Sequence, residues 1–348
     1  MVLITRRAML ASPVIKLPRK LRLGLAGVLG HVGDIVEPLK DLPDVELVAF
    51  AESDPAEHKK FAKRPAAAKA TAYTDYRRML DAEKLDIIGV CTSNGDRAAS
   101  IVACAERGLP LIAEKPLATS RADYARAKKA IVKSGKPVSL ILPMRYEPPY
   151  LALKKLVADG AVGTVGMISS QKSYKAGERL QWFKDRRTYG STILWIGIHM
   201  FDLMRWTTGR NYTEAFSYQS QVAAPPGIGQ MENTTSTVLK LDNGGTASLH
   251  MDYYRSESAP THGDDRLRIA GSKGVVEYLA ATGLTVLREG AKQYVMSDLP
   301  PKRSIFIEFL ESAFNGKPND MPLNDVWHIN EATIAAHESA VHGKPVKI

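Results

Sequence analysis

Lys115 is the residue of this chain best suited to moving a proton. It lies in Glu114-Lys115-Pro116, directly after the apolar run Leu109 to Ala113. A free lysine amine titrates at roughly 10.4, and burial lowers that value. A lysine at the mouth of a crevice can therefore take up or return a proton near neutrality. Pro116 fixes its own backbone and restricts the residue before it. A second set of residues suits a nucleotide. Gly27, Gly30 and Gly33 follow the apolar run Leu21 to Ala26. Glycine is needed where a tight turn brings backbone close to a pyrophosphate at a helix start. The spacing G-x-x-G-x-x-G is one residue longer in its first step than the usual dinucleotide fingerprint. In this reading Gly27, Gly30, His31 and Val32 border the phosphates. Glu52 ends the next apolar run, where a carboxylate accepts from ribose hydroxyls and repels the extra phosphate of NADP. Lys59, Lys60 and Lys63 lie nearby, so the expected cofactor is NAD with NADP not excluded. Thr92, Ser93 and Asn94 follow a third apolar run and, with Glu114 and Lys115, extend the crevice edge.

These residues need a scaffold that gathers strand ends. Strands expected at Leu21–Ala26, Val45–Ala51, Asp86–Cys91, Leu109–Ala113 and Val138–Leu142 alternate with helices at Val32–Lys40, Tyr76–Ala82, Asp96–Arg107 and Arg121–Lys133. Alternation of this kind predicts a parallel, doubly wound Rossmann sheet. After a helix near Pro149–Asp159 the pattern changes. Extended runs at Val165–Tyr174, Ala215–Val222, Thr234–Leu241, Thr246–Tyr254, Arg266–Ala270, Gly274–Leu279 and Leu284–Arg288 follow one another. Turn-rich separators such as Asp242-Asn243-Gly244-Gly245 predict a large, mostly antiparallel open sheet. Helices at Ser304–Phe314 and Asp325–Val341 close the chain. The fold class is thus α/β, a Rossmann domain (21–142) followed by an α+β domain (143–348) for substrate binding and oligomerisation. Residues 1–20 form a basic extension.

Length and charge narrow the function classes. The 348 residues exceed one compact core, and no apolar run reaches membrane-spanning length. The net charge is +10, but Arg6, Arg7, Lys16, Arg19, Lys20 and Arg22 supply six of those charges. The remainder is weakly charged, which argues against a nucleic-acid partner. Cys91 and Cys104 cannot form a disulfide framework and fit a reducing, cytoplasmic setting. Thr5 to Leu10 resembles a twin-arginine signal, but its apolar stretch ends at Lys16, so export is not expected. His262-Gly263-Asp264-Asp265 is polar but reads as a loop before a strand, and no cluster has metal spacing.

The glycine turn, Thr92-Ser93-Asn94, Glu114-Lys115-Pro116, Met144-Arg145-Tyr146, Gly190 to Asp202 and Gly271-Ser272-Lys273-Gly274 together resemble the glucose–fructose oxidoreductase/inositol dehydrogenase (Gfo/Idh/MocA) family. The resemblance runs from about Arg22 to the end. It implies hydride transfer between nicotinamide and a hydroxyl of a sugar or cyclitol, and homodimers or homotetramers built on the open sheet. It puts the catalytic lysine at Lys115 and the histidine of a D-x-x-x-H motif at His199. Trp195 stands where that motif has Asp, Ser93 where a Pro is usual, and Arg97 where a His is usual. Lys115 and His199 would form the proton relay. Arg145, Tyr174, Arg187 and Trp195 would join them around substrate. Trp195 could stack on a sugar face or plug the pocket, and Asp202 could hold the His199 ring. Two alternatives follow from the same residues. One is an enzyme that recycles tightly held NAD during glycoside cleavage or epimerisation. The other is a silent nucleotide- or sugar-binding protein.

Overall fold

The computed structural model describes residues 15–348. The twin-arginine-like segment lies outside them. β1 (Leu21–Ala26), β2 (Val45–Ala51), β3 (Thr71–Tyr73), β4 (Ile87–Val90), β5 (Leu111–Ala113) and β6 (Val138–Leu140) form a parallel sheet. Its order is β3-β2-β1-β4-β5-β6. The order reverses at β1, so the carboxyl ends of β1 and β4 flank a crevice, the ligand position of doubly wound sheets. β1, β2 and β4 are almost wholly buried runs of Ile, Leu, Val and Ala, as a sheet covered on both faces requires.

The helices of this half are α1 (Gly33–Val36), α2 (Pro55–Ala62), α3 (Tyr76–Ala82), α4 (Asn94–Glu106) and α5 (Arg121–Ser134). α1 is much shorter than the helix expected at Val32–Lys40. It passes into a 3-10 turn at Glu37–Asp41, because Pro38 has no N–H to continue the ladder. The sequence reading also omits α2 and β3. Phe61 is the one buried residue of α2, so no apolar stripe marks it. Its cap is orthodox: Asp54 accepts from the amides of Ala56 and Glu57, and Pro55 opens the helix. β3 has three residues, none buried.

α6 (Pro148–Ala158) leads to the second sheet, and two short helices, α7 (Gln181–Lys184) and α8 (Arg186–Tyr189), follow that sheet's first strand. Its strands are β7 (Val165–Tyr174), β8 (Tyr212–Ser220), β9 (Thr234–Leu241), β10 (Thr246–Asp252), β11 (Gly263–Gly271), β12 (Gly274–Leu279), β13 (Gly283–Arg288), β14 (Tyr294–Met296) and β15 (Val346–Lys347). Nine strands run in the order β14-β13-β12-β11-β7-β10-β9-β8-β15. β7 and β10 pair in parallel; the other neighbours are antiparallel. Along β7, Ile168, Ser170 and Lys172 are buried while Met167 is exposed, so one face is covered and the other open. α9 (Ile198–Thr208) and α11 (Leu323–His342) pack on the covered face.

The last part of the chain returns to the first sheet. α10 (Ile305–Asn315) buries Ile305, Phe306, Phe309 and Leu310 in the same cluster as Leu21, Leu23 and Ile35. Each such side chain contributes roughly 1.5–3 kcal/mol of transfer free energy. Ile15 and Leu17 are buried in that cluster as well. Asn330 of α11 accepts from the Leu117 amide at 2.9 Å, tying the second half to the segment just after Lys115.

Candidate functional site

A cleft of ≈ 530 Å³ opens at the carboxyl ends of β1, β2 and β4. Gly27, Leu29, Glu52, Thr92, Ser93 and Trp182 border it. Gly27 has φ 82, and a Cβ there would overlap the Thr92 amide. Gly30 has φ 64, and a Cβ there would overlap the Glu114 carboxylate. Only glycine closes this turn. The Val28 amide donates to Glu52 Oε2 at 3.1 Å and the Asp54 amide to Oε1 at 3.0 Å. Burial raises the Glu52 pKa, and the two amides oppose the rise. They also fix the carboxylate, whose remaining lone pairs suit a ribose diol. Asp54, Asp75 and Asp96 border the cleft too, against one cation, Arg77. That balance fits a ribose better than an additional phosphate. Lys59, Lys60 and Lys63 do not border it.

Beside the cleft the ends of β4 and β5 are clamped together. Arg97 of α4 is fully buried and donates to Asn94 Oδ1 at 2.8 Å, to the Lys115 carbonyl at 2.7 Å and to the Thr92 carbonyl. Burial lowers its pKa to about 10, leaving it charged. Glu114, also fully buried, accepts from the His31 amide, from His31 Nδ1 at 2.6 Å and from the Lys115 amide at 2.8 Å. Burial works against its charge, but His31, Lys115 and Arg97 outweigh it and bring the pKa down to about 2. The His31 amide is thus engaged by Glu114, and its ring lies 5.4 Å from that of His199. Val32 is a core residue, 3% exposed.

Lys115 is fully buried. Its amine donates to the Trp195 carbonyl at 3.0 Å and sits 3.1 Å from the centre of the Trp195 ring. Burial pulls its pKa down to about 7, Glu114 opposes, and Arg97 and Lys172 add to the fall. Trp195 lies in a π-helical segment, Ile193–Gly197, a local widening common at functional sites. It therefore caps the lysine, which is the plugging arrangement. Its other faces meet Trp182 at 5.3 Å, Phe183 at 5.8 Å and His31 at 6.0 Å. His199 is buried, its Nδ1 has no partner, and burial with the charges of Lys115, Lys172 and His31 holds the ring neutral.

Four expectations are corrected. Asp202 does not hold the His199 ring. It takes Arg145 Nε in a fork at 3.0 and 2.8 Å. Arg145 also bonds to the Asp320 carbonyl at 2.6 Å, to Asp325 at 2.9 Å and to Asp202 through Nη2, so four of its five N–H groups are engaged inside the protein and the buried guanidinium serves this internal network. Arg187 points to solvent and pairs with Asp185 at 2.7 Å. Its backbone carbonyl, not its side chain, packs on Gly95. Asn94 is likewise internal: its Nδ2 donates to the Tyr189 carbonyl at 2.7 Å and its Oδ1 holds Arg97. Ser93 stays on the cleft, bonded to Asp96 at 2.6 Å.

Tyr174 does reach the Lys115 region, through Lys172, whose amine is 5.1 Å from its ring centre. Lys172 is fully buried and pairs with Asp265 at 2.9 Å; burial lowers its pKa, but Asp265 more than offsets this and keeps it charged. Asp265 belongs to β11 and stands opposite Lys172 in the ladder, so the polar run His262 to Asp265 is not a loop ahead of a strand. From the sequence, Lys172 reads as one of the polar residues at a strand end that could compensate for the missing Asp, and Asp265 only as part of a polar loop; their pairing across the β7–β11 ladder leaves no trace in the sequence. Among the described residues no cluster of three or more His, Cys, Asp or Glu is gathered to hold a metal.

Two family patterns cover most of the chain. Residues 21–141 match one described as an oxidoreductase family with an NAD-binding Rossmann fold, and residues 150–277 match the GFO/IDH/MocA C-terminal domain. A solved oxidoreductase-like structure from Thermotoga maritima superposes with a TM-score of 0.86 at 30% identity, over 94% of this chain and 100% of the other. Myo-inositol 2-dehydrogenase from Thermotoga maritima is 26% identical over 257 residues, 73% of this chain and 74% of the relative. Levoglucosan dehydrogenase, solved with NADH, is similar in fold, with a TM-score of 0.80 at 18% identity over 95% and 99% of the two chains.

Proposed function

Because the chain belongs to the GFO/IDH/MocA family of NAD-binding oxidoreductases, we propose that it moves hydride between nicotinamide and a hydroxyl carbon of a sugar, cyclitol or sugar derivative, with Lys115 and His199 handling the proton. One observation carries this reading. Lys115 is buried beside a glycine-lined cleft, and that burial pulls its amine down to about 7. A base at that pKa divides its time between both protonation states at neutral pH, which general acid–base catalysis needs. Gly27, Gly30, Glu52, Thr92 and Ser93 would hold NAD, which when bound supplies the hydride acceptor. In oxidation Lys115 Nζ takes the hydroxyl proton. The neutral His199 ring orients that hydroxyl, and Glu114 keeps the proton-bearing amine tolerable by its charge. Trp195 must yield part of its place over the amine for a hydroxyl to reach it.

Myo-inositol dehydrogenase and levoglucosan dehydrogenase among the relatives support a cyclitol or sugar substrate. The open face of the second sheet carries Met167, Tyr218 and Val238, all about half exposed or more. Such a face supports pairing with a second copy of the chain. The indole over Lys115 favours one other reading, a silent nucleotide- or sugar-binding protein. Sugar-dependent NADH formation by the wild type, lost in Lys115→Met, decides for the enzyme. Equal rates in both proteins would refute the role of Lys115.

A further inference from the structure

A second basic residue faces the same region and has no counter-charge. Arg179 follows β7 in the segment that lies over the Trp195 region. Its guanidinium carbon is 4.8 Å from the Tyr253 ring centre and 5.5 Å from that of Phe183. Phe183 meets Trp195, whose ring covers the Lys115 amine. Tyr253 lies 6.4 Å from Tyr174, whose ring is beside Lys172. Phe183 and Trp195 thus lie between Arg179 and Lys115, while Tyr253 and Tyr174 lead from Arg179 to Lys172.

The charges in this box do not balance. Asp265 is taken by Lys172 and Glu232 by Arg186 at 2.5 Å, and the charge of Glu114 acts on Lys115 and Arg97. Arg97, Lys115 and Arg179 form no salt bridge with any described residue. Arg97 is satisfied by carbonyls and Asn94 on the cofactor side. Arg179 makes one bond, from Nη2 to the Lys175 carbonyl at 3.0 Å, and its buried Nε has no acceptor. A buried donor without a partner is costly, and a planar guanidinium suits a carboxylate bidentately. The Asp that the family motif would place at 195 is absent, so the site also lacks the negative charge that would repel an anion.

Resting on the oxidoreductase reading, we propose that the substrate is an anionic sugar, an aldonate or uronate, whose carboxylate is held by Arg179 while a hydroxyl further along the molecule faces Lys115. Arg179 is then a specificity residue that touches substrate and does not move the proton.

The test uses matched pairs that differ in the acid group: D-gluconate against D-glucitol and D-glucuronate against D-glucose, with D-glucose 6-phosphate as a second anion. Each is titrated by calorimetry into the protein saturated with NADH, for wild type, Arg179→Met and Arg179→Lys. The expected result is that at least one acid binds about tenfold or more tightly than its neutral partner. Arg179→Met removes that preference, Arg179→Lys keeps part of it, and NADH affinity stays the same in all three. Equal binding of acid and neutral sugar, stronger binding of the phosphate, or an acid preference that survives Arg179→Met would overturn the proposal. The parent reading fails separately: a wild type that binds the acids through Arg179 yet never reduces NAD with them keeps the carboxylate site and loses the oxidoreductase.

Discussion

Lys115 and Trp195 set the behaviour of the site at the scale of single residues. If Lys115 is the base, oxidation needs its neutral form, and the rate falls as pH drops through about 7. Glu114 raises that pKa by its charge. Glu114→Gln keeps the hydrogen-bonding shape and removes the charge, so the acid limb of the kcat/KM profile moves to lower pH. A limb that stays in place would mean that another group titrates. Trp195→Ala acts in the opposite direction. It admits water to the amine, relieves the burial that depresses the pKa, and moves the limb upward. The residue identities were legible in the sequence: Lys115, Glu52 and the glycines stand where their spacing indicates. The partners were not. Arg145 looks like a substrate ligand from its neighbours Met144 and Tyr146, but three acceptor groups 57 to 180 positions away use its donors. Spacing along the chain carries no trace of such contacts.

Elements decide whether those residues meet. The turn from β1 to α1 tolerates no side chain at Gly27, where φ is positive and the Thr92 amide is in the way. Gly27→Ala is expected to cost about 1–3 kcal/mol and to abolish NADH binding, because the backbone must shift. Gly135 at the end of α5 also has positive φ, but open space surrounds it. Gly135→Ala should cost about 1 kcal/mol and leave NADH binding alone. Thermal melts and NADH fluorescence separate the two. Arg145→Met is a different case. It strands the Asp202 carboxylate in the interior and should cost about 3–5 kcal/mol, with KM unchanged in the folded protein. A selective rise in KM would return Arg145 to the substrate site. The long strands and helices were readable from their periodicity, β1, β2, α3, β7, β9 and β12 to the residue. α2 and β3 were not, since neither buries enough apolar surface to leave a pattern.

The whole molecule joins two sheets so that Lys115 of one domain meets the covered face of the other. Lys115 comes from the first sheet's edge, while Trp195, His199 and Lys172 come from the second half. α10 and the Leu117–Asn330 bond hold the halves together. The open outer face of the second sheet predicts assembly. Val238, 53% exposed, faces outward next to Phe216 in the β8–β9 ladder. Val238→Lys should lower the mass measured by light scattering from that of a dimer or larger toward a monomer. A monomeric wild type would contradict the proposed role of that face. The central claim, that this scaffold carries nicotinamide beside Lys115, is tested most directly by titrating the purified protein with NADH and NADPH and following nicotinamide fluorescence. The account predicts saturable binding of NADH and binding of NADPH weaker by about tenfold or more, since acids outnumber the one cation around Glu52. Binding of neither nucleotide, or a preference for NADPH, would contradict it.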